Sequence, residues 1–170
     1  MTNHPAPGDA AEYYFKYIDR ISTTNIVDTI ESQLGKSLKL FQTISEEKSL
    51  HRYAPHKWSI RQVLNHITDT ERVFLFRAFW FARGFKDPMP SFDQDVAAGT
   101  AAAEAVPWSR HVEEFKNVRL STVSFFRNLP AEAWSRSGTA SGNHVTLNAL
   151  AYILAGHVAH HIAILQERYL

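Results

Sequence analysis

The chain has 170 residues, a formal charge of +1 and no cysteine. That length suits one domain able to bury about two-thirds of its unfolded surface without covalent staples. The missing cysteines exclude a disulfide framework, a thiolate metal site and a cysteine nucleophile. The mixed charge argues against nucleic acid or an anionic membrane as partner, no apolar run approaches roughly 18 residues, and Met1-Thr2-Asn3-His4-Pro5 has neither the basic region nor the apolar core of an export signal. A cytoplasmic protein is the expectation.

Residues 1–24 read as an N-terminal arm packing on the rest of the chain. Pro5, Pro7 and Gly8 keep its first ten residues irregular, while Ala11 to Ile18, rich in Tyr and Phe, fits either a short helix or an extended packing segment. The first long helix begins at Asn25 as N-cap and runs to about Ile44, with Ile26, Ile30, Leu34, Leu38 and Phe41 spaced by three and four. Ser45 to Lys57 is a polar connection. Ser59 and Gln62 form a capping box that opens the second helix, which continues to about Arg83 and stops at Gly84, a residue suited to a left-handed C-terminal position. Its inward face carries Val63, His66, Thr70, Val73, Phe74 and Phe81, with Asp69 on the flank and Arg77 nearly beneath His66. Phe76, Phe79 and Trp80 form an aromatic face that would serve a homodimer or be covered by the N-terminal arm.

Gly84 to Val106 shows no periodicity, and a connection of about 23 residues is long enough to cross the height of a bundle. The third helix runs from about Pro107 to Asn128, with Val112, Phe115, Val118, Leu120, Val123, Phe125 and Phe126 as its apolar positions. Ala131 to Val145 reads as irregular, and Thr146 caps a last helix from Leu147 to Arg168. Four helices of about 20 residues without strand alternation predict an all-α four-helix bundle over residues 25–170. The long second-to-third crossover gives it an up-down-down-up order.

The last helix contains Gly156-His157-Val158-Ala159-His160-His161. Residues four apart stack on one helical face, and the direction set by Leu147, Leu150, Leu154, Val158 and Leu165 falls nearer His157 and His161 than His160. Two imidazoles facing a core need partners, and an i,i+4 pair is how helices seat two ligands on one divalent ion. Hydrogen-bonded core histidines are the plainer alternative, so a third donor is needed. His66 supplies one: if its helix runs antiparallel to the last, both sets lie roughly 9–16 Å from the same end. His4, His51, His56, His111 and His144 read as surface groups, and His160 as a flanking residue.

Three neutral imidazoles leave a coordination position open, which is the catalytic pattern. Zn and Ni are the imidazole-preferring candidates, and either lowers the pKa of a ligated water or polarises a substrate oxygen or sulfur. Asp69 and Glu71 are candidates to accept the second N–H of a ligand ring, an exposed helix charge being an equal reading for Glu71.

The run from Tyr53 through Trp58-Ser59-Ile60-Arg61-Gln62 and Asn65-His66-Ile67-Thr68-Asp69 to Arg72, with Arg77, Ala82-Arg83-Gly84, Phe92-Asp93-Gln94-Asp95, Ser141-Gly142 and Gly156 through His161, resembles the DinB superfamily, in particular its YfiT-like branch. The resemblance implies a four-helix bundle and a divalent metal held by His66, His157 and His161. It also implies a metal-dependent enzyme acting on a small molecule: a thiol S-transferase with a low-molecular-weight thiol as cosubstrate, or a hydrolase using water activated on the metal. No general-base Glu stands beside the histidine pair, which favours the transferase. Arg61, Arg72 and Arg77 are then groups for the carboxylates of such a thiol, and Asp69, Arg77 and His160 are candidates for the surroundings of the metal. A non-catalytic, metal-stabilised binding or stress-response protein is the third possibility.

Overall fold

The computed structural model describes residues 3–170. Its frame is four helices: α2 (Ile26–Gln42), α3 (Ile60–Ala82), α5 (Trp108–Arg127) and α6 (Leu147–Arg168). Each starts where a side chain satisfies a backbone N–H that lacks an intrahelical partner. Asn25 Oδ1 accepts from Asp28 N at 3.3 Å, and Thr146 Oγ1 accepts from Ala149 N at 3.1 Å. Ser59 and Gln62 satisfy each other's backbone amides in a complete capping box, and Glu46 Oε2 accepts from Trp108 N at 2.9 Å at the start of α5. Such caps contribute about 1 kcal/mol each. Gly84, at φ 82°, ends the α3 segment as its lack of a Cβ allows.

Helix α3 packs on α5 and α6, and α2 packs on the same two. Side-chain pairs report how the helices run. Tyr169 at the end of α6 donates to Trp58 O just before α3, while Arg136, shortly before α6, donates to Ala82 O at the end of α3. Arg127 at the end of α5 pairs with Asp28 and Glu31 near the start of α2, whereas Trp108 at the start of α5 donates to Phe41 O near the end of α2. The crossover is fastened by buried Arg61, which donates to Glu104 O, Val106 O and Ser49 Oγ and pairs with Glu46. The chain thus leaves the end of α3 and returns beside its start.

Helix α6 is apolar on nearly every side from Leu147 to Val158. It is long and apolar enough to cross a membrane by length and composition, yet 61% of that window is buried inside the fold, as befits a central helix. Besides α2 and α3 it is touched by the arm, whose short helix α1 (Phe15–Ile18) lies against it. Gly156 allows this contact: a Cβ there would collide with the Tyr17 carbonyl. Tyr17, Ile18 and Ile21 are buried.

Two stretches differ from the sequence expectation. The crossover contains a helix, α4 (Gln94–Thr100), started by Asp93 Oδ1 accepting from Asp95 N and Val96 N. One face of two turns is too short to show a period. The stretch before α6 is a hairpin, β1 (Ser137–Ala140) against β2 (Asn143–Thr146). Its turn residues Ser141 and Gly142 take φ 52° and 75°, the positive values a two-residue turn between twisted strands requires. Four-residue strands carry little alternation, and only Ser-Gly marked the turn. Smaller differences are at boundaries: α2 stops at Gln42 rather than Ile44, and α5 spans Trp108–Arg127.

Candidate metal centre

The α3/α6 contact places the ring of His66 against those of His157 and His161. His157 Nε2 lies 3.1 Å from His66 Nε2 and 3.1 Å from His161 Nε2, and the three donor atoms fall within 4.8 Å of one another. Four-coordinate ligands at about 2.0–2.1 Å stand about 3.3 Å apart, so the two separations from His157 are close to what one ion imposes. Hydrogen bonding does not account for it. One ring nitrogen has either a single N–H or a single in-plane lone pair, so His157 Nε2 satisfies one neighbour and opposes the other. Three nitrogens facing one point fit a divalent cation.

Electrostatics agree with that role. Burial pushes the His66 ring down to about 4 from its ordinary 6.5. Burial, with the rings of His66 and His160 and the Lys16 ammonium nearby, pushes His161 down to about 3, and burial and the adjacent rings hold His157 well below normal. All three are neutral at pH 7, the form a metal needs. His66 Nδ1 lies 3.4 Å from Thr70 Oγ1 one turn on. Trp58 covers His66 at 5.0 Å between ring centres, and Tyr17 and Phe74 meet His157 edge-on at 5.3 and 5.9 Å.

The remaining sequence candidates fall differently. His160 stands outside the group of three, packing on Tyr17 and His161 at 5.4 and 5.1 Å. Asp69 accepts from Asn65 and Arg72 and is not bonded to a histidine ring. Glu71 is buried, not an exposed charge: its Oε2 lies 2.8 Å from Arg119 Nη2, and Thr122 Oγ1 donates to its Oε1 at 2.8 Å. His111 is buried too, bonded to Ala103 O at 2.8 Å, because α5 rotates it under the crossover. Phe76 and Phe79 stay exposed, since the arm sits on α6 and meets α3 through Tyr14 and Phe74. Of the three arginines, Arg61 is committed to the crossover, and Arg72 pairs with Asp69 and Glu114. Arg77 alone reaches the cavity beside the histidines.

That cavity, about 220 Å³, is lined by His66 and His157, by Thr70, Phe74 and Arg77 of α3, by Tyr13, Tyr14 and Tyr17 of the arm, and by Phe92, Gln94 and Ser141. A second cavity of about 280 Å³ reaches His161 from the other side, between Tyr53, His56, Lys57 and Trp58. Among the described residues no carboxylate lines either one. Sequence reasoning missed the arm's tyrosines and Ser141; only the Ser-Gly pair and the aromatic density of residues 13–17 signalled them.

The family model of the DinB superfamily matches residues 29–165. Among solved structures, YfiT from Bacillus subtilis, described as a probable metal-dependent hydrolase with an unusual four-helix bundle topology, superposes with a TM-score of 0.72 at 17% identity, covering 98% of this chain and 91% of that one. A mycothiol-dependent maleylpyruvate isomerase superposes with a TM-score of 0.69 at 11% identity, over 85% of this chain. This chain spans 61% of that isomerase's length. No curated protein sequence matches the chain.

Proposed function

The chain belongs to the DinB superfamily, and from that premise we propose a metal-dependent thiol S-transferase in which His66, His157 and His161 hold one Zn or Ni ion. A bound divalent ion supplies Lewis acidity, lowering the pKa of a thiol or water ligand towards neutrality. The residues do the rest. The three neutral rings present lone pairs without rearrangement, Trp58, Phe74 and Tyr17 wall the centre from bulk water, and the two cavities admit two reactants from opposite sides. The observation that carries the reading is a three-imidazole centre whose cavities lack a carboxylate: hydrolytic zinc centres of the H-E-x-x-H kind set a Glu beside the metal as general base, and a thiol acidified at the centre needs none. The mycothiol-dependent neighbour accords with it.

Hydrolysis is the second reading, favoured by the likeness to a probable metal-dependent hydrolase. Thiol consumption by metal-loaded protein against a panel of electrophiles, with glutathione, bacillithiol and mycothiol in turn, separates the two. The transferase reading expects metal-dependent thiol loss that disappears in His157→Ala. Ester or amide cleavage without thiol overturns it in favour of hydrolysis, and a metal that stabilises folding without either turnover makes the protein a non-catalytic binder.

The same proposal includes a bundle of up-down-down-up order, supported by the Tyr169–Trp58, Arg136–Ala82 and Arg127–Asp28 pairings. It also includes a cytoplasmic location and a homodimer, the dimer supported by Phe76, 53% exposed and stacked on Phe79. Sedimentation of wild type against Phe76→Glu tests the dimer.

A further inference from the structure

Arg77 is 4% exposed, yet among the described residues no carboxylate lies within ion-pair distance of it. A buried guanidinium is ordinarily matched by an acid, as Arg119 is by Glu71. Here only Nη2 is engaged, donating to Pro90 O and to Ser141 Oγ, both at 2.9 Å. Nε and Nη1 have no partner among the described residues, and the side chain lines the cavity that holds His66 and His157.

The arginine is held in place from several sides. Ser141 sits at φ 52°, a left-handed value uncommon for serine, and its N–H donates to Met89 O at 3.0 Å. The hairpin tip and the Met89–Pro90 segment therefore clamp Nη2 of the guanidinium and leave the N–H groups of Nε and Nη1 free to donate. Along α3 the residue lies eleven positions beyond His66, roughly 16 Å at the backbone. A helical side chain leans towards the helix N-terminus, so the guanidinium tips back towards the histidines. An unmatched guanidinium with free N–H donors is a group that receives a carboxylate through a charge-assisted hydrogen bond.

Resting on the metal-dependent reading of the site, we propose that Arg77 is the specificity residue of this cavity and that one reactant is a small carboxylate whose acid group docks on Arg77. The cavity of about 220 Å³ is below the ~300–1,000 Å³ of sites for drug-sized ligands, which limits the part of that reactant seated inside it to a short segment. Its far end then reaches the histidine centre from the side of Thr70 and Phe74. The carboxylate belongs either to the acceptor or to the thiol itself.

The test is binding, measured by titration calorimetry on metal-depleted protein, so that no ion competes for the anion. The probes are benzoate and hexanoate, each against its carboxamide, with glutathione as the thiol that carries its own carboxylates. Wild type is expected to prefer each carboxylate over its amide by at least tenfold, the preference weakening with added salt, to disappear in Arg77→Gln and to survive in part in Arg77→Lys. Tighter binding of glutathione than of both simple acids assigns the carboxylate to the thiol; the reverse assigns it to the acceptor. Equal binding of acid and amide by wild type, or a preference that persists in Arg77→Gln, overturns the proposal. If Arg77→Gln fails to fold, the wild-type comparison decides alone. A parallel zinc titration keeps the two readings apart: one ion bound with no carboxylate preference refutes Arg77's role only, whereas the preference without any ion bound refutes the metal centre only.

Discussion

Replacing Gly156 with alanine sets helix propensity against packing. Alanine is favoured over glycine inside a helix by about 0.8–1.0 kcal/mol, so propensity alone predicts a more stable protein. The added Cβ would lie 2.5 Å from the Tyr17 carbonyl carbon and closer still to its oxygen. That is about 1 Å inside ordinary carbon contact, and the obstacle is backbone, which cannot rotate away. Overpacking of this kind costs about 1–3 kcal/mol, so the net effect of Gly156→Ala is destabilisation by up to about 2 kcal/mol, or a Tm lower by several degrees in a chain of this size. Gly35, within α2, is the control: a Cβ there meets nothing within 4 Å, and Gly35→Ala should gain up to about 1 kcal/mol. Thermal unfolding of both variants by circular dichroism decides. A Gly156→Ala protein as stable as Gly35→Ala would refute the docking of the arm on α6.

The pair Glu71–Arg119 should be sensitive to losing one member. Glu71→Leu leaves a buried guanidinium unmatched and is expected to cost about 3–5 kcal/mol in urea unfolding, with Glu71→Leu/Arg119→Leu recovering much of it; a single variant within 1 kcal/mol of wild type would contradict the burial described. The metal-free protein should be acid-sensitive. Burial holds His66 at about 4 and His161 at about 3 against 6.5 when unfolded, so the unfolded chain binds more protons between about pH 6.5 and pH 3. Stability is then complete above 6.5 and falls as pH drops through that window, by on the order of 3 kcal/mol for His66. Denaturation midpoints from pH 7.5 to 4 check it, and a flat profile would show the rings to be solvated.

The helices were legible because their signals are local: the Asn25, Ser59 and Thr146 caps and the Gly84 stop lie where sequence alone puts them. The meeting of His66 with His157 and His161 was legible because the i,i+4 rule and the heights along two antiparallel helices leave few places for three rings. What was hidden depends on partners far along the chain. Arg119 sits four residues after Phe115 on the inward face, yet only the presence of Glu71 across the interface makes a buried arginine tolerable. His111 is buried because the crossover folds over it, and Arg77 owes its setting to Pro90 and Ser141. The α4 helix and the hairpin are each too short for periodicity to rise above the surrounding loop.

The most direct test of the account is X-ray absorption spectroscopy, with elemental analysis, on untagged protein reconstituted with zinc or nickel. One ion per chain, with three imidazole nitrogens at ~2.0–2.1 Å, lost in His157→Ala while the helical signal persists, is the predicted result. A protein that takes up no stoichiometric ion, or that keeps the same nitrogen environment without His157, would contradict it.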